Sequence, residues 1–121
     1  MGMETLNYLE ATIKRSITKI YKDSFGKGPE ETRIRVCDNV VMMMFEGALT
    51  DIEISLLETD EGAQLVADMR KRMVHQKRND YIPTLEEITG QSVLSITYDF
   101  NAERNQFYVF VIFPEMLVQT T

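Results

Sequence analysis

Few residues in this sequence are of a type and spacing that could do chemistry. Gly26-Lys27-Gly28-Pro29 offers bare backbone amides beside an ammonium group, the ingredients of an anion cradle. It lacks the Walker pattern, because no Gly-Lys-Ser/Thr occurs and a strand-like stretch follows where that pattern needs a helix. A structural turn is the expectation, and a small-ligand or anion-binding loop at Gly26, Lys27, Gly28 and Pro29 is the alternative. His75 is the sole histidine, with Lys71 and Asn79 at the helical spacings where a second ligand would stand. A metal site would have to be built from it and carboxylates alone, so no metal and no cofactor is expected. Cys37 has Arg35 nearby, a charge that favours a thiolate, but nothing in the sequence brings it a base. Glu46, Asp51, Glu53 and Glu58 are numerous enough to suggest paired carboxylates. A helix cap accounts for Glu53, and a solvated helix start accounts for the others. No nucleophile, base and orienting group emerge as a set, and the chain reads as a non-enzyme.

These residues hang on a readable framework. Leu6, Leu9, Ile13, Ile17 and Ile20 recur at spacings of three and four, which predicts a helix over 4–24 with a narrow apolar stripe. The glycines and proline of 26–29 end it, with Gly26 or Gly28 expected at positive φ. Thr32 to Cys37 alternates polar and apolar, Asp38-Asn39 suits a two-residue turn, and Val40 to Phe45 is apolar throughout. That turn pairs Val36 with Val41, Ile34 with Met43 and Thr32 with Phe45. Arg33, Arg35 and Cys37 then share the opposite face with Met44, Met42 and Val40. Thr50 and Glu53 form a capping box that starts a helix, in which the hydroxyl and the glutamate each satisfy an orphan amide.

The helical region beyond divides into 51–58 and 60–79, since Thr59 or Asp60 can cap a new helix and Gly62 weakens the old one. Ile52, Leu56, Leu57, Leu65, Val66, Met69 and Met73 are its expected apolar face. Arg70, Lys71, Arg72, Lys77 and Arg78 crowd its C-terminal end, where they complement the helix dipole. Pro83 should break or kink the run, with a short helix through Leu85 and Ile88 ending at Gly90. Strands over 92–100 and 106–113 flank a polar loop, and 114–121 is a tail. The expected fold is α+β, a four-stranded antiparallel sheet of two hairpins with helices packed on it, in the order α-β-β-α-α-β-β. The doubly apolar strands 40–45 and 107–113 belong at its centre, because edges should not be apolar on both sides.

The bulk properties narrow the class further. One domain over 1–121 is long enough to bury a core without staples. A net charge of −6 argues against a nucleic-acid partner. One cysteine excludes an internal disulfide and fits a reducing, cytoplasmic setting. No apolar run reaches the roughly 20 residues of a membrane span, and no secretory signal is expected in the polar N-terminus.

Gly26-Lys27-Gly28-Pro29, Leu49-Thr50 with Glu53, the helix bearing Arg70, Gly90-x-x-Val93 and Asp99 together resemble the MpsC-like family, over about residues 4–113. These are small bacterial proteins described as a component of a sodium-translocating, membrane-potential-generating system. The resemblance implies an accessory or regulatory subunit acting by protein–protein interaction, without inserting into the membrane itself. It also implies that Thr50, Glu53 and Gly90 are structural positions. Surplus apolar surface on strands 40–45 and 107–113 and on the first helix leads to a further expectation, a homodimer. The competing arrangement has the first helix crossing to the second face of the sheet.

The capping box generates the first testable outcome. Thr50→Ala should cost about 0.5–2 kcal/mol, read as a lower denaturant midpoint. An unchanged midpoint would mean that the helix starts elsewhere.

Overall fold

The computed structural model describes residues 2–118. Its elements are α1 (Gly2–Phe25), β1 (Glu31–Cys37), β2 (Val40–Glu46), α2 (Asp51–Leu56), α3 (Asp60–Gln76), α4 (Arg78–Thr89), β3 (Ser95–Asn101) and β4 (Gln106–Ile112). The fold is α+β, with the expected order of helices and hairpins; the second helical region is divided once more, at Lys77. The four strands form one antiparallel sheet in the order β1-β2-β4-β3, so the two strands apolar on both sides are central. In the first hairpin Val36 pairs with Val41, Ile34 with Met43 and Thr32 with Phe45. Asp38 takes a left-handed φ of 53° in its turn, a conformation that short Asp and Asn side chains tolerate.

Ile13, Ile17 and Tyr21 of α1, Val66 of α3 and Leu85 of α4 share one core with Ile34, Val41, Met43, Phe107 and Val111 of the sheet. The first helix therefore lies on the same face as the others and does not cross. Glu10 on α1 accepts a hydrogen bond from the Val36 amide of edge strand β1 at 2.8 Å. Arg35 covers the neighbouring Ile34 carbonyl, also at 2.8 Å. The β1 edge is thus partly occupied by the chain itself, as exposed edges commonly are.

Each helix end follows its local chemistry. The capping box at Thr50 is formed, and the Thr59 hydroxyl accepts from the Gly62 amide at the start of α3. Gly62 is needed for a second reason. A Cβ there would fall 1.8 Å from the Leu56 carbonyl oxygen, so α3 can approach the end of α2 this closely only with glycine. Gly26 has the expected positive φ, 78°, and Gly90 ends α4 at 74°.

Three expectations are corrected. Pro83 does not break the run: α4 passes through it, and the interruption comes earlier, at Lys77. The amide that Pro83 lacks would have bonded Asn79, which lies in an exposed first turn where water can serve its carbonyl. Ile52 and Leu65 are not core residues; they are 75% and 58% exposed. On α3 the buried row is Gly62, Val66 and Arg70, rotated from the row that apolar residues alone suggest. Arg70 itself is buried rather than a surface complement to the dipole. The segment after β4 is tied down at its start: Glu115 and Met116 carbonyls accept from the Gln91 side chain, and the Leu117 amide donates to Asp38. The last residues of the expected tail, 119–121, lie outside the described residues.

Candidate functional site

Arg70 sits at the centre of the molecule with 1% of its surface exposed. The Val66–Arg70 row of α3 places its guanidinium between α1, the β2–α2 connection and the sheet. Its Nε donates to Glu53 Oε2 at 2.6 Å and its Nη2 to Glu53 Oε1 at 2.5 Å, a two-point clasp between fork and carboxylate. Nη1 donates to the Tyr21 hydroxyl at 2.6 Å, and Nη2 also reaches the Ala48 carbonyl at 3.1 Å. Phe25 lies against the guanidinium, 4.1 Å from its centre to the ring centroid.

Glu53 belongs to two structures at once. Its Oε1 accepts from the Thr50 amide at 2.9 Å and from the Thr50 hydroxyl at 3.0 Å, closing the capping box, while both oxygens hold Arg70. Burial alone would raise the Glu53 pKa. The hydrogen bonds from Arg70 and Thr50, with the Arg70 charge, outweigh burial and hold the carboxyl below its ordinary range. Burial would likewise lower the Arg70 pKa, and its hydrogen bonds to Glu53 reverse the sign. Tyr21 is pushed up to about 12, chiefly by burial, so its hydroxyl stays neutral.

The glycine loop meets this network from the other side. Lys27 Nζ donates to the Leu49 carbonyl at 3.0 Å, and the Gly26 amide closes the end of α1 on the Lys22 carbonyl. The Leu49 amide donates to Asn105 of the second hairpin at 3.2 Å. Gly28 and Pro29 carry the chain from this point into β1. Gly26-Lys27, Leu49-Thr50, Glu53 and Arg70 therefore converge on the connection between β2 and α2. Gly90 stands apart, ending α4 where Glu86 accepts the Val93 amide at 2.8 Å. His75 and Cys37 are exposed and distant in the topology, on α3 and at the end of β1. Among the described residues no three His, Cys, Asp or Glu side chains cluster to hold a metal.

The sequence reading missed Arg70 as a centre, although one signal was available. Arg70 follows Val66 by one helical turn and so falls on the buried row rather than on the solvated flank. Beside it lies a cavity of about 60 Å³ lined by Tyr21, Phe25, Arg70, Tyr81, Tyr98 and Phe107. The buried Tyr98 hydroxyl has no hydrogen-bond partner among the described residues, and burial raises its pKa. This volume suits a few water molecules, whereas metabolite pockets run to about 300–1,000 Å³. A larger groove of about 420 Å³ opens between α3, α4 and β3, past Lys71, His75, Arg78 and Leu94. Gly26 to Pro29 do not line it.

The second surface of note is the sheet face turned away from all helices. Its cross-strand rows read Glu31–Glu46–Gln106–Asn101, Arg33–Met44–Tyr108–Asp99, Arg35–Met42–Phe110–Thr97 and Cys37–Val40–Ile112–Ser95. The two central columns are mostly apolar or aromatic and the two outer ones polar. Phe110 is 38% exposed in the middle of it.

Comparison with known proteins gives a family and two relatives. A family model described as a Na+-translocating membrane potential-generating system (MpsC) matches residues 5–115. YrhF of Bacillus subtilis (strain 168), described as uncharacterized, is 28% identical over 90 residues, which is 74% of either chain. YbcI of the same organism, also described as uncharacterized, is 24% identical over 98 residues, covering 81% of this chain and 79% of its own. No solved structure matches.

Two outcomes test the buried network. Arg70→Ala leaves Glu53 buried without its cation and should cost about 3–5 kcal/mol of unfolding free energy; Arg70→Lys should recover little, because a single ammonium cannot replace the fork. Glu53 has its pKa lowered by folding, so its contribution is present above the ordinary value of 4.5 and lost as pH falls through the folded value. Unfolding measured across that acid range should have a shallower pH slope in Glu53→Gln than in the wild type.

Proposed function

The chain belongs to the MpsC family, and from that premise we propose that it is a non-catalytic accessory component of a Na+-translocating, membrane-potential-generating system, acting through protein–protein contacts. The observation that carries the interaction role is the uncovered sheet face, with Val40, Met42, Met44, Tyr108, Phe110 and Ile112 contiguous across its two central strands. Methionine and aromatic side chains are adaptable, large-area contact groups and are enriched at interfaces. Among the described residues no helix is long and apolar enough to cross a membrane. On this reading the ion-conducting parts are other proteins, and this chain meets them from the cytoplasm without entering the bilayer.

The glycine loop is less suited to carry a ligand function, since Lys27 and the Gly26 amide are both engaged with carbonyls of the chain.

Deleting the gene in a bacterium that carries it, and reading membrane potential with a voltage-sensitive dye at varied sodium, tests the proposal. The sodium-dependent part of the potential should fall on deletion and return with the wild-type chain. An unchanged potential would overturn the proposed role.

A further inference from the structure

We infer that the free edge of β3 docks an extended acidic segment of a partner protein, which adds to the sheet as a further strand beside α3. This site is separate from the outer sheet face, and it stands whether or not that face carries the accessory role.

The phase of the ladder identifies which backbone groups this edge leaves open. The two-residue turn at Asp38-Asn39 makes Cys37 and Val40 a hydrogen-bonded pair. Bonded partners then alternate from strand to strand. Val41, Met43 and Phe45 bond to Val111, Val109 and Phe107, which leaves Ile112, Phe110 and Tyr108 for Ser95, Thr97 and Asp99. The amides and carbonyls of Ile96, Tyr98 and Phe100 therefore point away from β4, off the edge of the sheet. The same phase turns Ile34 and Val36 outward at the opposite edge. There the chain covers itself, since Glu10 takes the Val36 amide and Arg35 the Ile34 carbonyl. On β3 the Phe100 amide is covered by Asp99 at 2.8 Å. Among the described residues, no side chain hydrogen-bonds the Ile96 or Tyr98 backbone. Open donors and acceptors along an edge are a template for another strand.

The groove beside that template sets the chemistry of the strand it takes. Ser95, Ile96 and Tyr98 form one wall of the groove of about 420 Å³, and α3 and α4 form the other. Lys71, His75 and Arg78 line it without any Asp or Glu, in a chain with 19 acidic residues against 13 Lys and Arg. All three are exposed, and among the described residues no carboxylate pairs with them. Lys71 and His75 stand one helical turn apart, about 6 Å at 1.5 Å per residue. Alternate side chains of an extended strand are about 6.8 Å apart, so carboxylates two residues apart in the segment match that spacing. Tyr81, Ile82 and the 66% exposed Leu94 offer apolar contact beside the donors. Screening over about 8 Å at physiological salt leaves these local charges, rather than the net charge of the chain, to act on the segment. Main-chain bonds to the edge supply affinity, and the basic wall selects the sequence. A second copy paired β3 on β3 fits less well. It would turn Ile96, Tyr98 and Phe100, rather than carboxylates, toward Lys71 and Arg78.

Fluorescence anisotropy with a labelled octapeptide alternating glutamate and valine tests the site on the whole chain. Saturable binding is expected. It should weaken about tenfold or more in Lys71→Glu/Arg78→Glu, whose exposed positions leave circular dichroism unchanged. That variant should instead prefer the same peptide with lysine in place of glutamate. N-methylation of every second peptide amide should abolish binding in one phase and spare it in the other, because an added strand bonds through one side only. No saturable binding of the glutamate peptide, equal binding of the lysine peptide to wild type, or binding indifferent to methylation phase would each overturn the inference. So would a dimer, seen by sedimentation, that blocks peptide binding, since the groove would then belong to a second copy.

Discussion

One ion pair organises this molecule. Taking Arg70 and Glu53 out of water costs several kcal/mol for each charge, and their attraction offsets that only if the remaining donors and lone pairs are filled. They are filled here from four directions: Tyr21 on α1, Ala48 on the β2–α2 connection, Thr50 at the helix cap, and the carboxylate itself. The partners come from two stretches remote from Arg70 in sequence, Tyr21 on α1 and residues 48–53. The pair therefore works as a register: α1, the end of β2, α2 and α3 must all be correctly placed before the charge is satisfied.

The surroundings follow from that demand. Phe25, Tyr21 and Phe107 stand within 6 Å of the guanidinium centre, presenting ring faces to a cation that no water reaches freely. Lys27 holds the Leu49 carbonyl and Asn105 its amide, so the backbone beside the network is fixed from the α1–β1 connection and from the second hairpin. Lys27, Leu49, Thr50, Glu53 and Arg70 have an architectural task, which needs no ligand to explain it.

Because all helices gather on the side where this network lies, the sheet is left two-faced. The inner face is a closed core. The outer face has mostly apolar central columns between polar rims, an arrangement that serves contact better than solvation.

Local signals in the sequence were sufficient for the elements and much of their arrangement. The alternation of 32–37, the short side chains at Asp38-Asn39 and the unbroken run 40–45 determined the first hairpin and its register, because strand period and turn length leave no other pairing. The capping chemistry at Thr50 and Thr59 and the left-handed glycines at 26 and 90 were equally local. What the sequence could not decide was which residues face inward where two elements meet. Arg70 reads as one of a basic cluster until α2 brings Glu53 to it, and Glu53 reads as a cap until α3 brings Arg70. Leu65 reads as core until that pair rotates α3 about its axis, and Ile52 does until Glu53 takes the buried position on α2. Pro83 reads as a break until the interruption falls earlier, at Lys77. Tertiary structure decided these because burying a charge depends on partners remote in the chain, whereas turns, caps and strand alternation depend only on neighbours.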